Sequence, residues 1–252
     1  MYPVAFHIGS LVVYWYGVTL VLAYVAGELL VLWLARREGM DLDRVLLWMV
    51  FLLLGGIVGA RLAGLMRDSL ARGLIASPLA REGFVSYGAP VGVLVAGWVY
   101  ARVARLSLWK LLDLAAPSVA LGFAITRIGC FLNGCCYGRP TNLPWGVSFP
   151  ASSPAGLAFA NTPLHPAQIY ASLGNLVLFG GLLALRRRRR FEGFLFLWWV
   201  VLYAVLRFVL EFARADPRVA LGLTAAQLAN LVMGPIALAL LWARGRRKRM
   251  EN

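Results

Sequence analysis

The chain has 252 residues, of which 61% are hydrophobic and only 14% charged, and its mean hydropathy is +0.74. Soluble domains run near half apolar and a quarter charged, so this composition excludes a single water-soluble core, and low charge with 12% aromatics excludes disorder. The net charge of +14 would suggest nucleic acid in a soluble protein, but in a membrane chain basic residues gather at cytoplasmic helix ends, and no nucleic-acid partner is expected.

Seven apolar runs follow in order: Leu11–Leu34, Val45–Met66, Phe84–Val103, Leu111–Phe131, Pro166–Leu185, Phe194–Phe212 and Leu221–Ala243. Each is long enough to cross a bilayer, and unpaired backbone groups in hydrocarbon require each to be a helix. The first ten residues, MYPVAFHIGS, carry no Lys or Arg. They lack the basic start of a cleavable signal peptide, so the first run is expected to stay.

Arg36, Arg37 and Arg44, then Arg102, Arg105 and Lys110, then Arg186 to Arg190, then Arg244 and Arg246 to Arg249 follow the odd-numbered runs, with Lys at 248. The other side carries only Arg67, Arg72, Arg81, Arg139, Arg214 and Arg218. This bias places the amino terminus outside and the carboxy terminus in the cytoplasm. The fold class expected is therefore an all-α membrane protein of seven transmembrane helices, one integral domain over residues 1–252. A small external loop or cap is expected over 132–165, where residues 142–165 are rich in Pro, Ser, Asn and Thr.

Three arginines fall inside the runs: Arg61, Arg127 and Arg207. A central arginine costs roughly 2.5–3.5 kcal/mol on insertion scales, so it faces a protein interior or a wet cavity. The acids at similar depth are Glu28, Asp113 and Glu211. Glu211, four residues after Arg207, shares its helix face and can partner it. Asp113 stands about 21 Å of helix away from Arg127, too far to neutralise it. Positive charge is then in excess near the outer ends of three helices. An anionic ligand would offset it; the alternative is that each arginine snorkels or bonds backbone carbonyls.

Four stretches stand apart from plain apolar helix. TRIGCFLNGCCYGRPT (126–141) holds Gly129, Gly134, Gly138, Asn133 and Pro140, so irregular backbone is expected to replace the fourth helix there. LHPAQIY puts His165 and Gln168 at the start of the fifth run, and YWYG (14–17) puts Tyr14 and Tyr16 near the outer end of the first, where an aromatic belt is the simpler account. SYGAPVG (86–92) breaks the entry to the third run, and small residues there also suit close helix packing. In YAVLRFVLEFARAD, Tyr203, Arg207, Glu211 and Arg214 recur at spacings of four, four and three, one polar stripe on an apolar helix.

In this order and spacing, the stretches resemble the bacterial prolipoprotein diacylglyceryl transferase family. The resemblance runs from PVAFHIGSLVVYWYG through GGIVGARLAGL (55–65) to LTAAQLANLVM in the last run. It implies a multi-pass plasma-membrane enzyme that moves a diacylglyceryl group from phosphatidylglycerol to the lipobox cysteine of prolipoproteins, releasing glycerol phosphate. It also implies roles by position. Arg127 and Arg207 match functional arginines, with Arg61 a further match; Tyr16 and Tyr203 match site tyrosines; Asn133 and Gly138 match signature residues; Glu211 and Arg214 complete the sixth helix. His165 and Gln168 join the substrate-binding set, and no cofactor is implied.

The resemblance breaks at three places. Tyr87-Gly88-Ala89 stands where the family has His-Gly-Gly, Cys130 replaces an asparagine, and Cys135 replaces a glutamate. Tyrosine titrates near ~10 and is a poor base without nearby positive charge. Two interpretations stay open. Either the chain is a working transferase in which Tyr87 or His165 takes the acceptor proton, or it is a divergent member with another phospholipid- or thiol-dependent activity, or a non-catalytic lipid-binding protein. Cys130, Cys135 and Cys136 are candidates for thiol chemistry, for packing, or for joining His165 at a soft metal. As a metal pattern Cys-x4-Cys-Cys is weak beside paired Cys-x-x-Cys motifs, and no metal is expected.

Overall fold

The structure is a computed structural model and describes residues 4–72 and 88–251. Tyr87 and the expected start of the third span at Phe84 lie outside the described residues. Two compact units divide the chain, Met1–Val31 with Leu112–Asn252 and, separately, Leu32–Leu111.

The larger unit opens with a hairpin, not with a helix. Strand β1 (Val4–Ile8) pairs antiparallel with β2 (Leu11–Tyr14) around a turn in which Gly9 has φ +58°. The β-branched Val12 and Val13 favour that extended pairing, so helix α1 begins only at Trp15 and runs to Arg37. The expected helical start at Leu11 is thus corrected.

Helix α4 (Leu108–Asn133) also differs from expectation. Irregular backbone from Thr126 is not found; the helix continues through Gly129 and stops only at Gly134, whose φ is +69°. Gly129 serves helix contact instead of a turn. A Cβ there would stand 3.0 Å from Thr19 Cβ and 3.3 Å from Tyr16 Cα of α1.

The segment after α4 folds on its own small core of Phe149, Ala155 and Leu164, with Phe131, Tyr137, Val147 and Phe159 packed around it. It includes the short helix α5 (Pro154–Ala158), started by Pro154 and capped by Ser153, whose Oγ accepts from the Gly156 N–H at 3.1 Å. Helices α6 (Ala167–Leu185) and α7 (Phe194–Leu210) follow. They meet where Gly174 makes room for Leu206 and where Leu178 and Leu182 pack with Trp198, Trp199 and Leu202. The buried Asp113 carboxylate accepts from the N–H groups of Gly193 (2.8 Å) and Phe196 (3.0 Å), satisfying orphan donors at the start of α7.

The last run is corrected as well. Strands β3 (Arg218–Ala220) and β4 (Leu223–Thr224) form a second hairpin, turned by Leu221 and Gly222 with φ of +51° and +69°. Helix α8 starts at Ala225, not Leu221, and runs to Glu251. Thr224 and Gln227 close its end reciprocally: the Gln227 N–H donates to Thr224 Oγ1 (3.2 Å) and the Thr224 N–H to Gln227 Oε1 (3.0 Å).

The smaller unit is built on α2 (Leu42–Arg72) and α3 (Gly88–Val103). Asp41 caps α2 by accepting from the N–H groups of Asp43 and Arg44. The helices touch along a glycine seam. A Cβ on Gly55 would lie 2.6 Å from the Gly92 carbonyl oxygen, and one on Gly92 would lie 2.9 Å from Gly59 Cα. Glycines four apart on both helices let the backbones meet, the usual membrane solution where no hydrophobic drive pulls helices together.

Among the described residues, six helices have the length and composition to cross a membrane: Trp15–Arg37, Leu42–Ser69, Leu108–Asn133, Ala167–Arg188, Phe194–Ala213 and Ala225–Lys248. The apolar Gly88–Val103 is shorter; its 16 residues rise about 24 Å against a hydrocarbon core of about 30 Å. A predominantly helical multi-pass membrane protein is therefore seen, with six long spans among the described residues.

Gly92→Leu is expected to destabilise the protein by about 3 kcal/mol, the upper range for overpacking. The readout is a lowered thermal unfolding midpoint in detergent. Gly180→Leu, at a glycine with nothing within 4 Å of its Cβ position, should leave the midpoint unchanged.

Candidate functional site

The polar stripe of α7 stays on one face because the turn Glu211–Ala213 continues the helix in a tighter winding. Glu211 is 1% exposed. Its carboxylate pairs with Arg207, lies 3.4 Å from Arg214 Nε, and accepts from the Thr224 hydroxyl at 3.2 Å. The pairing of Arg207 with Glu211 expected from their spacing is present. Asp216, which the sequence reading passed over, supplies a second carboxylate. It takes a two-point contact from Arg214, at 3.0 Å from Nε and 3.2 Å from Nη2, and stands 3.8 Å from Arg207 Nη2. Arg214 is therefore spent on its neighbours, with a further bond of 3.2 Å to the Cys136 carbonyl.

A narrow recess collects Arg127 from α4, Asn175 from α6, and Tyr203, Arg207 and Arg214 from the α7 end, with apolar walls from Ala171 and Leu206. Two of these guanidiniums, Arg207 and Arg214, pair with the carboxylates of Glu211 and Asp216, which are not among its lining residues. The expected excess of positive charge is smaller than the sequence suggested, and it resides on Arg127, which has no ion-pair partner among the described residues. Asn175 also escaped the sequence reading. It is 3% exposed and its Oδ1 accepts no bond. A signal existed, since Gln168, Ser172 and Asn175 recur at four and three along an otherwise apolar run, and all three are buried.

The signature loop is hung from both sides. Gly138 donates its N–H to the His165 carbonyl (3.1 Å) and forms an antiparallel bridge with Arg214. A Cβ at 138 would stand 2.6 Å from His165 Cβ and 2.7 Å from the Ala213 carbonyl oxygen, so only glycine fits between them. The Arg139 N–H donates to the Ala213 carbonyl at 2.9 Å, and its Nε to the Arg214 carbonyl at 2.8 Å. Gln168, fully buried, donates to the Cys135 carbonyl at 2.8 Å. Arg139 was assigned only to topology in the sequence reading, yet it ties the loop to the end of α7.

His165 Nδ1 lies 3.4 Å from the Tyr170 hydroxyl, which accepts from Trp145 Nε1 at 2.6 Å. Tyr16 is exposed and, with Asn133, Tyr14 and Gly17, lines a wide open hollow. Arg61 belongs to α2 in the smaller unit, two residues beyond Gly59 of the glycine seam, and is not among the residues of the recess. Tyr87 is outside the described residues.

Cys130, Cys135 and Cys136 are free thiols, and their sulfurs lie within 4.8 Å of one another. His165 is not part of that group. Hydrogen bonds from the Cys130 and Cys135 thiols, then the charges of Arg127 and Arg214, hold the Cys136 thiol below its ordinary range.

Fold and site define a multi-pass helical membrane protein carrying a recessed guanidinium cluster. A family model described as prolipoprotein diacylglyceryl transferase matches residues 3–243. Among similar proteins, the phosphatidylglycerol–prolipoprotein diacylglyceryl transferase of Clostridium tetani is 37% identical over 222 residues, 86% of this chain and 87% of that protein. That of Dehalococcoides mccartyi (strain 195) is 38% identical over 244 residues, covering 94% and 91%. One from Cupriavidus metallidurans is 34% identical, covering 96% and 94%. The chain belongs to the prolipoprotein diacylglyceryl transferase family.

Glu211→Gln leaves two crowded guanidiniums facing a neutral amide and is expected to cost about 3–5 kcal/mol of stability, the range for breaking a buried pair. Arg127→Gln, which breaks no ion pair, should change stability by under about 1 kcal/mol. Chemical or thermal unfolding of both variants in one detergent checks the contrast.

Proposed function

We propose that this chain transfers the diacylglyceryl group of phosphatidylglycerol to the cysteine thiol of prolipoproteins, and that Arg127 is the group that holds the lipid phosphate. The reading rests on the family and on one observation, an arginine without an ion-pair partner among the described residues, in a recess where the other two are neutralised. A phosphodiester brings one negative charge, equal to the excess there. Arg207, paired yet lining the same recess, adds donors to the phosphate as Arg127 anchors it, and a guanidinium fork suits phosphate geometry.

In the reaction, the acceptor thiol loses its proton and the thiolate attacks the terminal glyceryl carbon of the lipid. The carbon–oxygen bond to phosphate breaks, a thioether forms, and glycerol phosphate leaves with the bond's electron pair. Charge then grows on the phosphate, and guanidiniums already in place stabilise it without reorganising. His165 is the proton acceptor in this reading. With its Nδ1–H donating to the Tyr170 hydroxyl, Nε2 is the nitrogen that takes the proton. Tyr87 is the alternative acceptor. Tyr16, Asn133 and Tyr203 contribute to the lipid and peptide surfaces, Arg61 offers a further cation to a headgroup, and Gly138, Gln168, Glu211 and Arg214 position the loop and the arginines.

The proposed setting is the bacterial plasma membrane, with seven crossings, Gly88–Val103 among them, the amino terminus outside, and 132–165 as an external cap. The concentration of Lys and Arg after the odd-numbered runs supports that orientation.

Purified protein in phosphatidylglycerol vesicles, given a lipobox peptide, should yield a diacylglyceryl thioether by mass spectrometry; no product under conditions where a relative is active would overturn the assignment. Arg127→Gln should lower the rate by about 10²–10³-fold, the loss typical of one transition-state donor. Arg127→Lys should recover little of it, because a point charge cannot replace the fork. His165→Gln should abolish transfer near neutral pH while Tyr87→Phe retains it; the reverse result assigns the proton to Tyr87.

A further inference from the structure

The three cysteines are not used by the transfer chemistry, and they are held together with care. Their sulfurs lie within 4.8 Å of one another. Around a d10 cation with metal–sulfur bonds near 2.3 Å, sulfurs of a tetrahedral site stand about 3.8 Å apart, so a closure of about 1 Å suffices.

The backbone brings them together in two ways. Cys130 is in the last turn of α4, and Cys135 folds back on it, donating its N–H to the Cys130 carbonyl at 3.1 Å, with its sulfur 3.7 Å from the same oxygen. Gly134, with φ +69°, makes that reversal. Cys136 itself has φ +59°. Neighbouring side chains on extended backbone point apart, and a left-handed residue breaks that alternation, a conformation disfavoured for a residue with a Cβ.

Two further bonds hold the adjacent pair Cys135 and Cys136. Gln168 donates to the Cys135 carbonyl (2.8 Å) and Arg214 to the Cys136 carbonyl (3.2 Å). Supports of this kind orient ligands around metals.

The geometry points to a tri-cysteine site, formed by Cys130, Cys135 and Cys136, for a thiophilic d10 cation of the Zn²⁺ class. The weak sequence spacing concealed it because two ligands are adjacent and the third lies a helix end away. Each thiol that coordinates gives its proton to solvent, and no electron is transferred. Three protein sulfurs leave one tetrahedral position for water or another ligand. The site stands independently of the proposed transfer activity.

The test uses the full chain, purified under reducing conditions and dialysed with Zn²⁺. One tightly held equivalent by elemental analysis is expected, lost by at least tenfold in affinity in each of Cys130→Ser, Cys135→Ser and Cys136→Ser. Because loss of the fold in a variant would also abolish binding, a second readout uses the unaltered chain. Zn²⁺ should protect all three thiols from maleimide, counted by intact mass, and Co²⁺ should give thiolate-to-metal charge-transfer absorption. Zn²⁺ that binds without protecting the thiols, or that persists when all three are replaced, overturns the site; so does an absence of binding to the reduced protein. Transfer without Zn²⁺ binding removes the metal and keeps the enzyme, whereas binding without transfer does the opposite.

Discussion

A carboxylate buried at the end of α7 organises the larger unit. Glu211, with almost no exposure, faces Arg207 and Arg214 and accepts from the Thr224 hydroxyl. A buried carboxylate is tolerable only with such partners, since desolvation of the ion is costly and each attraction in a low dielectric is correspondingly large. Three elements thus converge on one side chain: the α7 stripe, the tight turn after it, and the capped start of α8. Thr224 links the ion cluster to helix capping, because the same hydroxyl also accepts from the Gln227 N–H.

Arg214 carries that order into the signature loop. Its guanidinium spans Glu211, Asp216 and the Cys136 carbonyl, while its own carbonyl accepts from Arg139. The loop is consequently positioned by the ion cluster on one side and by Gln168 and His165 on the other. Gly138 is where these supports come closest, and any side chain there would push them apart. A rigid loop beside an incompletely neutralised arginine is the arrangement expected of a site prepared in advance for an anion.

Family membership and local departure are compatible on these terms. Asp216 and Glu211 satisfy Arg207 and Arg214 without a carboxylate at position 135, which is a cysteine. In the proposed reading Arg127, with no ion-pair partner among the described residues, is left for a phosphate.

Much was legible in the sequence, for definite reasons. Apolar length and the backbone's need for internal hydrogen bonds made the chain a helical membrane protein, and the four-residue spacing of Arg207 and Glu211 made their pairing readable, because helix geometry alone brings them together. The resemblance carried by RIGCFLNGCCYG and HPAQIY named the family before any coordinates. Other features depended on residues distant in the chain. That Gly129 belongs to a helix followed from Thr19 and Tyr16 packing against it, and that β1 and β2 form a hairpin followed from pairing between strands. Asn175 entered the recess only when separate helices met, and the cysteine cluster required a left-handed residue that spacing does not reveal. Local periodicity and hydrophobicity are properties of a segment and can be read from it; closure of a charge cluster is a property of several segments at once, and only their packing decides it.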